Sequence, residues 1–540
     1  DWQKAVKNRK KAKGVRLWYA LDERMLKASK QHVFNLLNHV NPHTGKRYAE
    51  EECIAVWELN NEAKIIKIAL EDGFDTWPEY FQQKIQNRWN QWLTDRYSSQ
   101  DNILKAWGKL AEGESLTDQS IACAPIFAKR NDYPQARGDD FVHFIVQLVS
   151  DYYNEIKTYA RAQAPSGVGV NVQPFSFDTQ YRPNTPWQFS VTEHADVANF
   201  GMYFFSLNST LANPPSMYVM DSHTLADKPT VIYETNSGRP GQYRVEHAYR
   251  TAAFASWQDW DAVFWHYYHY KDWEDEQFLT TVLPYQSNSF YWSAVEFEKD
   301  PVMISTIGLA GQIFINHQIH AATNPVDYEV GKQGIYSYSK FNGMSTQRAA
   351  FERGARITYK PDEDFNTRMV NADPQSLEGR INDAIKAGDQ IIWDWPNARL
   401  IVDTPTSKIY VGKTPPSKGW YRFSDGIAVG QFGTDFAAFA MVSADGKPLT
   451  GPNASERVYV NARYNAENSG FDMDMSILEK PNAGNPFVQA RHIRNKGYSP
   501  IIETPVPYTV AFPNHIRATF TGFDSLQRQC LERSIDHSRL

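Results

Sequence analysis

Cysteine is scarce, with three residues in 540: Cys53, Cys123 and Cys530. An odd, widely spaced set builds no disulfide framework, and no CxxC or Cys/His spacing offers a structural zinc site. No run of about 18 apolar residues is free of charge, which excludes a membrane-spanning helix. A basic excess is missing too. The 56 Lys and Arg face 62 Asp and Glu, for a formal net charge of -6, which argues against a general nucleic-acid binder. The sequence has no GxSxG elbow, no Walker loop and no GxGxxG after a strand, so neither a hydrolase serine nor a phosphate cradle is written in it. Gly-Arg-Pro-Gly at 238–241 reads as a loop. Internal repeats and low-complexity segments are absent. The opening DWQKAVKNRKKAKG lacks an apolar signal core and an initiator Met. The chain is therefore expected to begin partway into a longer precursor; a secreted or periplasmic location is a separate expectation, with no signal peptide visible in the chain.

What is abundant is aromatic: 16 Trp, 29 Tyr and 30 Phe. Most must fill cores, and the rest suit stacking on the apolar faces of sugar rings. At roughly 100–200 residues per domain, the length allows two or three domains, or one large barrel with a smaller module.

Along the chain, apolar residues at helical spacing predict a helix over 22–40. GVRLWYA at 14–20 is expected to supply the strand before it. The run Ile54-Ala55-Val56-Trp57 has the look of a buried parallel strand and ends in Asn60, Asn61 and Glu62. Helices are predicted within 77–109, over 139–163, over 244–258 and over 302–322. Strands are predicted at 167–175, 196–205, 228–236 and 261–270. Strands alternating with helices argue for a parallel sheet with helical crossovers. In such folds the site lies at the carboxyl ends of the strands. After about residue 325 the texture becomes short alternating runs separated by turns such as Ala-Asp-Gly-Lys at 444–447, the pattern of an antiparallel β-sandwich.

Two glutamates stand out. Glu62 and Glu234 each end a short apolar run and each sits by an Asn. Hydrolysis of a glycosidic bond with retention needs one carboxyl group that holds a proton and one that is ionised, about 5–5.5 Å apart. Two glutamates at the ends of different strands of one barrel meet that need. A lone strand-end Glu is more often a salt bridge or cap; the pair, in strand context, favours catalysis.

WELNNE (57–62) resembles the fourth-strand motif of the clan-A glycoside hydrolases, in which an Asn-Glu pair ends the strand and the Glu is the acid/base. VIYETN (231–236) resembles the seventh-strand motif, whose Glu is the nucleophile. The stretches at 41–62, 88–108 and 244–268 look like bacterial members related to families 42 and 5. The likeness covers roughly residues 15–325, and more loosely the C-terminal part.

It implies a (β/α)8 barrel over 1–325, an extension over 326–375 and a β-sandwich over 376–540. It makes Glu62 the general acid/base and Glu234 the nucleophile. Asn61 would contact the hydroxyl beside the anomeric carbon. Tyr203 would orient the nucleophile. Asn236 and Arg239, on the loop that follows, would reach substrate. Trp265 would floor the subsite for the non-reducing sugar, with His266 at the alternative inward parity so that only one of the two need face the pocket. The substrate is expected to be a β-linked oligo- or polysaccharide, a β-galactoside or galactan by the family-42 likeness. No cofactor and no metal are expected. Only 61 residues precede Glu62, too few for three β/α units, so a separate N-terminal segment is expected to complete the barrel.

Rival readings are a non-catalytic carbohydrate-binding protein on a degenerate barrel and a polysaccharide lyase using the tyrosines and histidines at 266–270. A metal reading rests on His266 with His269, three apart on a strand and hence on opposite faces, and on His317 with His320, three apart on an expected helix.

Overall fold

The computed structural model describes residues 3–4, 15–61, 74–123, 133–163, 169–171, 193–204, 208–212, 224–239, 241–269, 296–336, 351–371, 383–478, 491–495, 497–513, 516–523 and 529–537. Glu62 and Tyr270 lie outside the described residues.

GVRLWYA is helical rather than a strand. A 3-10 turn at Val15–Leu17 runs into α1 (Trp18–Leu21). Leu17, Trp18 and Leu21 share one helical face and are buried, with Trp18 stacked on Phe81 at 3.9 Å between ring centroids. That face, spaced i, i+1, i+4, outweighs the apolar run that suggested a strand. Asp22 then caps α2 (Glu23–Leu37) by accepting from the Arg24 amide.

The strand after it is short, β1 (Val56–Glu58). Helices α3 (Glu79–Tyr97), α4 (Gln100–Trp107) and α5 (Gln135–Gln163) pack Trp89, Phe141 and Tyr153 into one core with Trp18 and Trp57. β1 pairs in parallel with β2 (Gly169–Asn171), with Trp57 opposite Val170.

A second parallel group follows: β3 (Ala198–Phe204), β4 (Thr230–Ser237) and β5 (Ala262–Trp265), in that order, with β4 in the middle. Between β4 and β5 runs α6 (Glu246–Trp257), and α7 (Pro301–Ile315) lies beside it. Asp300 caps α7 by accepting from the Val302 and Met303 amides. Every residue of α6 is buried, the mark of a helix enclosed on all sides.

The stretch expected as an extension carries structure of its own. β6 (Val326–Gly331) runs into α8 (Lys332–Tyr336) and pairs in parallel with β7 (Ala355–Lys360) and antiparallel with β8 (Thr367–Met369). Ile357 of β7 also bridges Leu225.

The C-terminal part is antiparallel. Strands β9 (Ile385–Ala387), β10 (Ile391–Asp394), β11 (Arg399–Asp403), β12 (Ser407–Lys413), β15 (Phe436–Ser443) and β16 (Val458–Arg463) form a six-stranded sheet. In chain order β13 (Trp420–Arg422) and β14 (Ala428–Gly430) fall between β12 and β15. With β21 (Thr509–Ala511) they form a smaller sheet in which β14 pairs with both neighbours. The six-stranded sheet is covered on both faces. Phe436, Ala438, Ala440 and Val442 face α6 and α7, while Ala437, Phe439 and Met441 face Val429 of the smaller sheet and Phe423 just beyond β13. This two-sided burial is why FAAFAMV (436–442) is apolar throughout instead of alternating. The turn after β15 has Gly446 at φ 72°, a left-handed position suited to glycine. Between β16 and β20 (Tyr498–Glu503) lies β17 (Ala466–Ser469), which pairs with β20. Two hairpin-like pairs complete the part, β18 (Asp472–Leu478) with β19 (Arg491–Asn495) and β22 (Ile516–Phe523) with β23 (Gln529–His537).

Candidate active site

Glu234 is placed by an irregularity in β4. Phe200 pairs with Ile232 but Gly201 pairs with Glu234, so Tyr233 is an extra residue against β3. The pairing with β5 slips likewise between Ile232 and Thr235. Strict alternation would put Glu234 on the face of Ile232, which packs into the helix layer. The bulge changes that parity: Thr235 takes the helix side and Glu234 the opposite side, beside Tyr203. The ring of Tyr233 needs room, and Gly201 supplies it: a Cβ there would lie 2.6 Å from Tyr233 Cζ.

On that face three expected residues meet. The Tyr203 hydroxyl lies 2.5 Å from Glu234 Oε2 and donates to it, and it lies 2.7 Å from His266 Nδ1. His266 Nε2 is 3.9 Å from Glu234 Oε1. All three are half-buried. Burial raises the Glu234 carboxyl above its ordinary range, and the Tyr203 hydrogen bond partly offsets this by favouring the anion. Burial also holds the His266 imidazole down to about 4.

Of the two parities considered for the strand at 261–270, His266 faces Glu234. Trp265 lies on the helix side, edge-on to His247 with ring centroids 5.6 Å apart. Asn236 is buried and braces the same corner: its Nδ2 donates to the His266 carbonyl over 2.9 Å, and its Oδ1 accepts from the Ser237 amide. The His266 amide in turn donates to the Thr235 carbonyl.

Arg239, expected to reach substrate, is buried with Nη2 donating to Glu467 of β17 over 2.8 Å. A guanidinium committed to that carboxylate ties the loop after β4 to the C-terminal part. Arg244 does the same more deeply, between Asp300, the Asn465 side chain and the Ala466 carbonyl. Asn61 is exposed beyond β1, and its backbone carbonyl accepts from Arg16 Nη1 over 2.9 Å.

Behind Glu234 lies a polar layer that the sequence reading did not single out. The buried His247 has Arg250 Nη2 3.1 Å from Nδ1 and Thr235 Oγ1 3.2 Å from Nε2. Arginine only donates, so Nδ1 accepts and the imidazole proton sits on Nε2, pointing at Thr235. Burial, with Arg250 beside it, keeps His247 well below the ordinary histidine range and thus neutral. Glu246 is enclosed by the Ser209 hydroxyl, the Thr210 hydroxyl and the Thr210 amide, with Arg250 Nη1 at 3.6 Å. The signal was present: Glu246, His247 and Arg250 interrupt the largely apolar helix EHAYRTAAFASW.

The histidine pairs separate. His269 leaves His266 and lies 2.8 Å from Glu298 Oε2 and 3.5 Å from Glu296 Oε1. One ligand atom from each of these three side chains lies within 4.8 Å of the others. His317 and His320 lie beyond the end of α7 at Ile315, with His317 at φ 48°, so they do not share the helix face expected for them.

A family model described as beta-galactosidase, that of glycoside hydrolase family 42, matches residues 6–291. No curated protein matches the chain. Among solved structures, the chain is similar to an exo-beta-agarase at 11% identity and a TM-score of 0.35, over 55% of this chain and 39% of that one. It is similar to the beta-galactosidase from the psychrophilic Marinomonas ef1 at 12% identity and a TM-score of 0.36, over 63% of this chain and 53% of that one. The chain spans less than two thirds of the length of either structure.

Proposed function

The chain belongs to the beta-galactosidase family of glycoside hydrolases, and from that premise we propose that it cleaves β-galactosides, including galactan oligomers, with retention of configuration. Glu234 attacks the anomeric carbon and Glu62 protonates the departing glycosidic oxygen. Water activated by Glu62 then hydrolyses the glycosyl ester. Asn61 holds the hydroxyl beside the anomeric carbon. The parallel strands β1 to β5 belong to a (β/α)8 barrel whose carboxyl face binds the glycan, and the antiparallel C-terminal part braces it.

The observation that carries this reading is the setting of Glu234. The carboxylate is turned by a bulge away from the helix layer, half-buried, and held by a phenol that donates to one of its oxygens. A structural glutamate at this depth is typically paired with a cation; among the described residues Glu234 instead faces a phenol and an imidazole that burial keeps neutral. A weakly solvated carboxylate of this kind, once ionised, suits a nucleophile.

A panel of aryl β-galactosides and galactan oligomers, run with wild type, Glu234→Gln and Glu62→Gln, tests the reading. Hydrolysis by wild type is expected to fall by about 10⁴-fold or more in Glu234→Gln, a loss of the size seen when a nucleophile is removed. Binding, read by calorimetry, is expected to survive. Binding without cleavage by wild type would make this a carbohydrate-binding protein, and ultraviolet-absorbing unsaturated products would make it a lyase.

A further inference from the structure

The Tyr203 hydroxyl sits between Glu234 Oε2 at 2.5 Å and His266 Nδ1 at 2.7 Å. A phenol has one proton, and an ionised carboxylate only accepts. With Glu234 ionised, that proton points at Oε2. The second contact is then made by an Nδ1–H of His266 donating into the phenol oxygen. A neutral imidazole has a single N–H, so Nε2 carries the lone pair, 3.9 Å from Glu234 Oε1.

We propose that His266 is a positioning residue for the nucleophile. Through Tyr203 it fixes the phenol proton on Oε2, so that Glu234 stays oriented and ionised with Oε1 as the attacking oxygen. The inference rests on the reading of Glu234 as nucleophile and adds to it the residue that sets its hydrogen bond.

The surroundings of His266 fit this role. Among the described residues, β3 presents Tyr203 to the ring, β4 presents Glu234, and Asn236 anchors the backbone of His266. His269, the nearest other histidine in the loop, turns to Glu296 and Glu298. Burial keeps the imidazole neutral down to about pH 4. Protonation would place an Nε2–H opposite Oε1 and pair the cation with the oxygen that must attack.

The test is a double-mutant cycle in the full chain. His266→Leu removes the donor and is expected to lower kcat about 10-fold with KM within about 2-fold, the scale of one hydrogen bond to a charged system. His266→Asn, whose amide nitrogen replaces Nδ1, is expected to recover most of that loss. In a Tyr203→Phe background the same His266→Leu change is expected to cost less than about 2-fold, because the path through the phenol is gone. A full loss of about 10-fold in that background, or an Asn variant as poor as Leu, overturns the proposal while leaving hydrolysis at Glu234 intact. A wild type that neither cleaves galactosides nor accepts a covalent label overturns the nucleophile reading, and this inference with it. Should His266→Leu fail to fold, nitrogen-15 NMR of wild type against His266→Asn decides the matter. The Nδ1–H tautomer is expected, and an Nε2–H tautomer refutes the role.

Discussion

Tyr203 spends its proton on Glu234, and this can be titrated. The carboxyl is raised by burial and lowered by the Tyr203 hydrogen bond. Attack needs the anion, so activity falls as pH drops through the Glu234 pKa, and the acid limb of kcat/KM is expected above the ordinary carboxylate range. Removing the phenol proton in Tyr203→Phe takes away the stabilising bond, so the limb is expected to move to still higher pH. The loss of kcat is expected to be about 10- to 150-fold, the value of a hydrogen bond to a charged group at about 1.5–3 kcal/mol. A pH–rate profile of the two proteins reads both effects; an unchanged limb contradicts the coupling. Glu234, Tyr203 and His266 were legible because each follows an apolar run in a βα pattern. The choice between Trp265 and His266 was not legible. It turns on which parity faces the helices, and neighbouring apolar residues look alike on both sides of a parallel strand.

Strand β4 is bent from its period by one residue. Ile232 and Thr235 both face the helix layer, three positions apart where a regular strand allows two or four. No glycine within the bulge announces it in VIYETN; the glycine that makes room lies across the sheet at Gly201. A methyl group there overlaps the Tyr233 ring, so the ring must swing or the strands must part. Gly201→Ala is therefore expected to cost about 1–3 kcal/mol, as overpacking does, and to lower kcat/KM about 10-fold by disturbing the bulge. Thermal unfolding and steady-state rates measure both. Truncating the ring in a Gly201→Ala, Tyr233→Ala double variant should return part of the stability. If Gly201→Ala is silent, Tyr233 does not set the bulge. GVRLWYA shows the opposite failing of pattern reading: a short apolar run reads as a strand, and the spacing of Leu17, Trp18 and Leu21 decides for a helix only once Phe81 is in place to stack on.

Across the whole molecule, the region around Glu234 and the C-terminal sheets are joined through charge as well as packing. Arg244 is fully buried between Asp300 and β17, and Arg239 reaches Glu467 of the same strand. The change of texture near residue 325 marked where antiparallel structure begins. It could not indicate that the six-stranded sheet would press one face on α6 and α7, because a strand buried on both sides and a strand in a parallel sheet share one apolar signature. Nor could it indicate that loop arginines would serve that junction, since partners more than 200 positions away leave no local pattern. The central claim concerns one atom, the Glu234 carboxylate oxygen that bonds to sugar. Incubating the chain with a 2-fluoro-2-deoxy-β-galactosyl fluoride, which forms the glycosyl ester but hydrolyses slowly, and mapping the adduct by peptide mass spectrometry tests it most directly. A single galactosyl-derived label on the peptide carrying Glu234, absent in Glu234→Gln, is the predicted result; a label on another carboxylate, or turnover of galactosides with inversion and no label, contradicts it.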